Sequence, residues 1–427
     1  MSYHWMLMVR HLYSLILYAF LPLIRLRLWW RGRRQPAYRE HVNERAGVYS
    51  VAGKRPLLWI HAVSVNETRA SERLLRALRE RLPDHEVLLT SMTPAGREAG
   101  AEVFGDSVLQ AYLPYDTPAA VNRFLDHFQP RLGVLMETDI WPNLLTICAQ
   151  RHIPVVLANA RLSEKSAKGY RRLHSLFRPA FASLAGAAAQ TEANAKRLKQ
   201  LGADPVAVCG NPDYDFPVPV EMIKQGNEWR KAIGGRSILM AASTQEGEEM
   251  QVLAAWNSLA DPDVLLLIVP QPSQRLDEIA ALLERRQIPF IRRIHGLPRK
   301  STRVWLGNRP EEMVAYYTLA DIVFLGGSLV VRGGRNLIEA AATGCPVLVG
   351  PHTFNFAQVT EDAIACGAAR RVANPVQLAK AVNDLLADQE KCEEMGTTAL
   401  LFAAAHRGAT KRTLEFILKC SGLSPES

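Results

Sequence analysis

The chain has 427 residues, of which 48% are hydrophobic and 22% charged, and its formal net charge is +9. This length exceeds one ordinary hydrophobic core and the composition is that of a globular protein, which predicts two domains and argues against disorder. The positive charge favours an anionic partner. Nucleic-acid binding is not expected, because no basic run interleaved with aromatic residues occurs beyond the N-terminus and no zinc-finger or helix-turn-helix spacing is present.

The N-terminal segment, residues 1–34, is predicted to anchor the protein to a membrane. Residues 11–24 are uncharged and mostly apolar, and arginines follow around Trp29 and Trp30. The apolar run is shorter than the roughly 20 residues of a spanning helix, so the segment is either a short span or a helix in the membrane interface. Arginines after the run predict that the body lies on the cytoplasmic side. A soluble amphipathic helix packed on the body is the alternative.

Strand-like apolar runs then alternate with helical patterns in two successive sets, which indicates α/β domains. We predict a first domain over residues 35–218, a second over residues 219–405, and a helical tail over residues 406–427. A proline- and aspartate-rich break at residues 211–219 separates the two sets. Two such halves predict a ligand site in the cleft between them.

The six cysteines are dispersed and form no C-x-x-C pair. This pattern fits a reducing cytoplasm and argues against a disulfide framework or structural zinc. No other cluster has metal-ligand spacing, so no metal is expected.

Two glutamates, Glu67 and Glu137, stand where strand-like runs end. Open α/β sheets bind ligands beyond the carboxyl ends of their strands, so two carboxylates there are suited to abstract a proton and hold a substrate. The alternative is structural: one glutamate caps a helix and the other pairs with an arginine. Ser64 is likewise a candidate acceptor contact or a helix cap.

The second half carries a comparable pattern of strand-end residues. Gly326, Gly327 and Ser328 form a glycine-bearing turn after a strand and before a predicted helix at residues 336–343, an arrangement that lets backbone N–H groups approach an anion. Ser243 and Thr244 end another strand. Glycine-rich turns also occur for steric reasons alone.

Several ordered motifs resemble the bacterial Kdo transferases, which add 3-deoxy-D-manno-octulosonic acid (Kdo) to a lipid A precursor. The resemblance runs from the N-terminus to about residue 420. Its strongest segments are the basic residues 25–34, Trp-Ile-His-Ala-Val-Ser-Val-Asn-Glu-Thr at 59–68, Met-Glu-Thr-Asp-Ile-Trp-Pro-Asn at 136–143, Leu-Ala-Asn-Ala-Arg-Leu-Ser at 157–163, Leu-Gly-Gly-Ser-Leu-Val at 325–330 and Gly-Pro-His-Thr-Phe-Asn-Phe at 350–356.

The resemblance implies the GT-B glycosyltransferase fold, with two facing Rossmann-like domains and an N-terminal membrane-anchoring helix. It implies that Glu67 is the catalytic base and that Glu137 supports the transition state, and Ser64, three residues before Glu67, stays the candidate acceptor contact. The candidate donor-binding residues are Ser243, Thr244, Arg275, Gly326, Gly327, Ser328, Arg335, Asn336 and Glu339. The donor would be CMP-Kdo and the acceptor a phosphorylated lipid A precursor at the inner membrane of a Gram-negative cell. Anionic lipids would be further partners in this step of lipopolysaccharide biosynthesis, and no cofactor or metal is implied.

Several positions depart from the family pattern. Asn66 replaces the glycine before the base, where asparagine tolerates a left-handed backbone. Asp213 replaces a lysine that stabilises the transition state, Gln271 replaces an arginine, and Gln245 and Arg335 each replace a histidine. The lost cationic contacts predict donor affinity weaker by roughly a hundredfold or more.

Arginines near these positions are candidates to compensate. Arg335 can hold phosphate or carboxylate bidentately, and Arg332 and Arg275 are further candidates. The alternative is that Arg335 is a solvated loop residue. Two other functions therefore stay open: a paralogue that uses a different nucleotide-activated sugar, and a non-catalytic relative.

Overall fold

The computed structural model describes residues 3–215 and 218–423. Residues 216–217 of the predicted break, and residues 1–2 and 424–427 of the predicted terminal segments, lie outside the described residues. The chain forms two compact units, one comprising residues 1–215 and 408–427 and the other residues 216–407.

The first unit is built on a parallel sheet of seven strands in the order β3-β2-β1-β4-β5-β6-β7. Every residue of its central strands is buried, because helices cover both faces of a parallel sheet. The strands are β1 (Leu57–His61), β2 (Glu86–Ser91), β3 (Leu109–Tyr112), β4 (Leu132–Met136), β5 (Val155–Ala160), β6 (Gly186–Ala189) and β7 (Val206–Val208).

Amphipathic helices cover this sheet. The second helix, for example, begins after the cap Ser64 and buries Leu74, Leu75 and Leu78 on one face. The helices are α1 (Tyr3–Arg34), α2 (Val65–Arg81), α3 (Pro94–Phe104), α4 (Pro118–Phe128), α5 (Pro142–Gln150), α6 (Glu164–Arg172), α7 (His174–Ala182) and α8 (Glu192–Leu201).

Helix α1 is longer than its apolar run predicted, because Arg10 and the basic residues at its end continue the helix. The stretch Leu7–Arg34 is long and apolar enough to cross a membrane by length and composition. One face nevertheless packs on the first unit: Tyr13 donates to Asp116 at 3.1 Å, and Ser14 donates to Asn143 at 3.2 Å.

The second unit holds another parallel seven-stranded sheet, in the order β10-β11-β9-β8-β12-β13-β14. Its strands are β8 (Ile238–Thr244), β9 (Leu265–Pro270), β10 (Phe290–Arg292), β11 (Val304–Leu306), β12 (Ile322–Leu325), β13 (Val347–Val349) and β14 (Ala369–Arg371). Its helices are α9 (Val220–Ile233), α10 (Glu248–Asn257), α11 (Leu276–Arg285), α12 (Met313–Leu319), α13 (Ile338–Ala341), α14 (Ala357–Ala365), α15 (Pro375–Ala387) and α16 (Gln389–His406).

The last helix, α17 (Ala409–Ser421), returns to the first unit. Asp215 accepts hydrogen bonds from the amides of Gly408 and Thr410 and so caps its first turn. Ile417 is fully buried in the core of the first unit beside Leu58 and Val134. The chain therefore closes the first unit with its final helix.

The predicted α/β fold class, with two Rossmann-like units and an apolar N-terminal helix, is confirmed.

Candidate active site

In each sheet, the strand that begins the unit is an interior strand, and later strands of the chain lie on both sides of it. The neighbours at these switch points are β1 with β4 in the first unit and β8 with β12 in the second. A ligand crevice opens beyond the carboxyl ends of such strands. Glu67 and Glu137 follow β1 and β4, while Ser243 is the next-to-last residue of β8 and Gly326 follows β12. The topology thus places the predicted residues of each unit at that unit's switch point.

Glu67 lies in the first turn of α2, and its carboxylate is held by the residues that start the helix. The Ser64 hydroxyl donates to Oε1 at 3.0 Å and the Val63 amide to Oε2 at 2.9 Å. The Glu67 amide in turn donates to the Ser64 hydroxyl at 3.5 Å, the reciprocal pattern of a capping box. Glu67 therefore does help to cap its own helix, which was the structural alternative for this residue, and Ser64 is the N-cap residue.

Glu137 stands directly after β4 with φ +57°, a left-handed conformation that is uncommon for a residue other than glycine. Such backbone strain is concentrated at functional sites. Its Oε2 lies 3.6 Å from an Nη of Arg161, and the Glu137 side chain is 32% exposed. Glu137 thus pairs with an arginine, as the structural alternative predicted, and its carboxylate still reaches solvent.

The environment of Glu67 suits a base. Desolvation raises the pKa of Glu67, and the nearby charges of Glu137 and Asp139 raise it further, while the hydrogen bonds from Val63 and Ser64 lower it. A general base is most effective when its pKa approaches the working pH. The effects of Glu137 and Asp139 also show that the three carboxylates are electrostatic neighbours.

A buried histidine lies beneath these carboxylates and was not among the predicted residues. The Nδ1 of His61, at the end of β1, lies 3.1 Å from the Thr90 carbonyl oxygen, and its Nε2 lies 3.6 Å from Oδ2 of Asp139. The His61 side chain is fully buried. Its position at a strand end, six residues before Glu67, is the signal that would have found it.

Two expectations about the departures from the family pattern change with the structure. Asn66 lies within α2 and needs no left-handed backbone, so the argument from asparagine's tolerance was wrong: the turn precedes it, at Ser64.

Asp213, the second of these positions, is surrounded by charge of both signs. Desolvation raises its pKa and Glu137 adds to this, while Arg73 and Arg161 lower it. An Nη of Arg73 also donates to the Pro212 carbonyl at 3.2 Å. Two arginines therefore bring positive charge beside Asp213.

The second unit contains a pocket of about 390 Å³ at the carboxyl ends of β8 and β9. Its lining includes four of the predicted donor residues, namely Ser243, Arg335, Asn336 and Glu339. Ser243 has φ +55°, so the strained strand end of Glu137 has a counterpart here. The lining residues that were not predicted as donor contacts are Val269, Pro270, Gln271, Ser273, Met313, Tyr317 and Phe356. Val269 and Pro270 end β9, and Gln271 and Ser273 follow it, whereas Met313 and Tyr317 come from α12 and had no sequence signal.

Arg335 is half-buried at this pocket, so the solvated alternative does not hold. Burial lowers its pKa, and Glu248 and Tyr317 oppose this. Within the described ranges, Arg335 has no ion pair with a carboxylate. Arg332, three residues earlier, is exposed. Arg335 is therefore the guanidinium that this pocket presents to an anion.

The glycine-bearing turn already holds an anion that belongs to the chain. The fully buried carboxylate of Glu248 accepts the amides of Gly327 at 2.6 Å, Ser328 at 2.9 Å and Leu329 at 2.8 Å. The backbone amide of Gln245 donates to the same carboxylate at 3.0 Å. These amides are thus used within the unit, and an external phosphate would have to displace Glu248 to reach them. Gly326 instead allows two backbone segments to pack closely, because a Cβ at this position would lie 2.6 Å from the Ser243 carbonyl oxygen.

Arg275 and Thr244 also make internal contacts. Arg275 forms a bidentate pair with the buried Glu249, at 2.7 and 3.0 Å. Thr244 is fully buried. In the described chain, neither residue lines the pocket, and both lie in the layer that supports it.

The two parallel seven-stranded sheets form the GT-B fold, which is a fold of glycosyltransferases with two Rossmann-like domains. Residues 251–401 match the family model "Glycosyl transferases group 1". Among solved structures, UDP-GlcNAc 2-epimerase from Neisseria meningitidis has a TM-score of 0.54 at 17% identity over 85% of this chain and all of that chain. HepE from Anabaena in complex with UDP has a TM-score of 0.53 at 14% identity, covering 86% of this chain and all of that chain. These two likenesses show the shared fold alone.

Residues 40–216 match the family model of the 3-deoxy-D-manno-octulosonic-acid transferases. The chain is 40% identical over 425 residues to the 3-deoxy-D-manno-octulosonic acid transferase of Bordetella pertussis, covering 96% of this chain and 98% of the relative. It is 35% identical over 422 residues to the same enzyme of Haemophilus influenzae, with 96% and 98% covered. The protein belongs to the Kdo transferase family, as its motifs predicted, and is an enzyme of that family.

Proposed function

We propose that this enzyme transfers Kdo from CMP-Kdo to a phosphorylated lipid A precursor at the cytoplasmic face of the inner membrane, without a metal or cofactor. The observation that carries the proposal is the position of Glu67 at the switch point of the first unit, with its pKa raised by desolvation beside Glu137. The retained carboxylates and the names of the relatives favour this reading over a non-catalytic one.

Glu67 accepts the proton of an acceptor hydroxyl as that oxygen bonds to the anomeric carbon of the donor. The bond from this carbon to the CMP phosphate oxygen breaks, and its electron pair leaves with CMP, so the configuration inverts. Ser64 and Val63 orient the carboxylate through their hydrogen bonds to its two oxygens. Because Arg161 pairs with Glu137 at 3.6 Å, Glu137 acts as a fixed charge that tunes the pKa of Glu67.

The pocket of the second unit is the proposed donor site. A volume of about 390 Å³ is in the range of small-molecule sites. Arg335 is suited to the phosphate, since a guanidinium binds such groups bidentately. Asn336 and Glu339 supply polar groups for a ribose, as the family resemblance implies.

Helix α1 is proposed to lie in the membrane interface. Its packed face carries Ser14, only 6% exposed, whereas Leu15 is 65% and Leu26 60% exposed outside that face. A helix docked along a soluble domain on one face and apolar on the other lies in the plane of the interface. The arginines near its end would meet anionic headgroups, with Trp29 and Trp30 at headgroup level.

A mass-spectrometric transfer assay tests this function. The purified enzyme is incubated with a CMP-Kdo generating system and tetraacyl lipid A precursor, and a mass gain of one Kdo unit is expected. No gain, with an active control enzyme alongside, would rule the proposal out.

A second candidate is a different nucleotide-activated sugar, which is favoured by Gln271 in the pocket lining where the family has arginine. A thermal-shift panel of nucleotide sugars separates the two. CMP compounds should stabilise the protein most, and greater stabilisation by a uridine or guanosine nucleotide would favour the second candidate.

A further inference from the structure

A small crevice of about 80 Å³ separates α1 from the body of the first unit. On the helix side, one stripe lines it: Tyr18, Leu21, Arg25 and Leu28. These positions recur at three- and four-residue intervals, so they share one face of α1. The Tyr18 hydroxyl accepts the Ala119 amide at 3.3 Å and ties this face to the start of α4.

Three guanidinium groups line this crevice: Arg25 from α1, Arg45 from the turn before β1, and Arg123 from α4. Across residues 3–215 and 218–423, none of the three has a carboxylate within 4.0 Å. Arg123 donates twice to the Ala46 carbonyl, and Arg45 donates to the Met92 carbonyl at 3.0 Å. For Arg45 and Arg123, neutral carbonyl oxygens therefore take the place of counter-charges.

Burying this positive charge costs free energy at Arg45, because Arg45 is only 3% exposed to solvent. Its guanidinium stacks 4.1 Å from the centre of the Tyr112 ring, and its Nε has no hydrogen-bond partner. A buried charge is normally paired, since desolvation is otherwise uncompensated. The acid next in sequence is already engaged: Glu44 accepts from Arg97 at 2.7 Å and from the Tyr112 amide at 2.8 Å.

Two of the arginines also act on a common residue, Tyr115. Burial raises the pKa of Tyr115, which lines the crevice, and Arg45 and Arg25 both lower it. Their positive charges thus converge on this residue. Each guanidinium has five N–H donors, so the crevice keeps donors for a further acceptor.

We propose that this crevice binds the phosphate group of an anionic membrane lipid. The three cations supply the charge complement, and the crevice walls Leu21 and Leu28 continue into the apolar surface of α1, along which acyl chains can lie. The inference rests on the interfacial placement of α1 proposed above. It adds a defined phosphate site to what would otherwise be diffuse attraction between basic residues and headgroups.

Calorimetric titration of the full-length protein in neutral detergent tests this site. The probes are dihexanoylphosphatidic acid, dihexanoylphosphatidylcholine and inorganic phosphate. We expect the phosphatidic acid to bind at least tenfold more tightly than either of the others. Equal binding of the zwitterionic lipid, or of inorganic phosphate alone, would overturn the proposal.

Matched substitutions on α1 locate the site. Arg25→Gln should weaken phosphatidic acid binding about tenfold, and so should Arg123→Gln, since each removes a charge-assisted contact. Arg27→Gln makes the same charge change two residues along α1, outside the crevice lining, and should change the affinity less than twofold. Equal losses in the Arg25 and Arg27 variants would show diffuse attraction and overturn the site.

Two features of these experiments separate loss of the phosphate site from misfolding and from failure of the Kdo transfer assay. Arg25 is exposed, so its variant tests the site even if Arg123→Gln, which loses the Ala46 contacts, lowers the unfolding temperature. Because lipid titration requires no sugar transfer, failure of the Kdo assay leaves its result intact, and the converse also holds.

Discussion

The hydroxyl of Ser64 donates a hydrogen bond to Glu67 at 3.0 Å, so the carboxylate proposed as the base also closes the first turn of its own helix. The structural and the catalytic readings of Glu67 are therefore compatible. A capping box accepts glutamine as well as glutamate at this position, which allows the charge to be removed while the cap is kept.

Glu67→Gln should abolish most transfer while leaving the fold intact. Loss of a general base lowers the rate by about 10²- to 10⁴-fold. The amide oxygen can still accept from the Val63 amide, so the unfolding temperature should stay near that of the wild type. Single-turnover transfer and thermal unfolding measure the two effects.

Ser64→Ala provides the control for the cap. It should lower stability by about 1 kcal/mol through the lost N-cap, with a far smaller loss of activity. If the Glu67→Gln variant transfers Kdo at the wild-type rate, Glu67 has no part in the mechanism.

Glu137 should set the pH dependence of transfer. Desolvation raises the pKa of Glu67, and the charge of Glu137 adds to this. The base must be ionised, so activity should fall as the pH drops through this raised pKa, above the usual range of glutamate. Glu137→Gln removes one source of the rise, and the acid limb of kcat/KM should move to lower pH in the residual activity. An unmoved limb would mean that the two carboxylates are not coupled.

Asp116, which holds α1 to the body, should make stability depend on pH. Burial raises its pKa to about 7, while the amides of Asn143 and Leu144, the Tyr13 hydroxyl and Arg10 oppose this rise. An unfolded aspartate titrates near pH 4, so between about pH 4 and 7 the folded chain keeps a proton that the unfolded chain has lost. The contribution of Asp116 is therefore full below this window and is lost as the pH rises through it, by at most about 1.4 kcal/mol per pH unit.

Asp116→Asn removes this titration and should flatten the pH dependence of unfolding. Urea denaturation from pH 4.5 to 7.5 measures the slope for both proteins. If the two slopes agree across this range, Asp116 does not hold the excess proton.

Arg335→Gln should weaken CMP binding by about tenfold or more, because the pocket loses its guanidinium contact with the phosphate. Arg332→Gln is the matched control: it makes the same change in the same loop, where the side chain is exposed. Titration calorimetry with CMP compares them, and equal affinities of the two variants would place the phosphate away from Arg335.

Much of the fold follows from local pattern. The runs around Leu58 and Val134 are apolar throughout because strands in a parallel sheet are buried on both faces. The strand-end positions of Glu67, Glu137 and Ser243 were predictable for the same reason, since an apolar run shows where the strand stops.

The partners of buried charges were not predictable. Glu248 and Gly327 are 79 residues apart, and their 2.6 Å hydrogen bond turns a glycine loop expected to bind phosphate into one that holds a carboxylate. Arg275 was expected at the donor and is paired with Glu249 instead. His61 and Asp139 meet only because β1 and β4 are neighbours.

The sequence by itself determined the fold class, the family and the strand ends that carry polar residues, because these depend on periodicity and on short motifs. Only the tertiary structure decided which polar groups meet a ligand and which are used to neutralise one another. The physical reason is that a buried charge must be paired, and its partner is chosen by strand order and helix packing over distances along the chain that no local pattern records. The crevice beside α1 is the clearest case, since Arg25, Arg45 and Arg123 converge there from three separate elements.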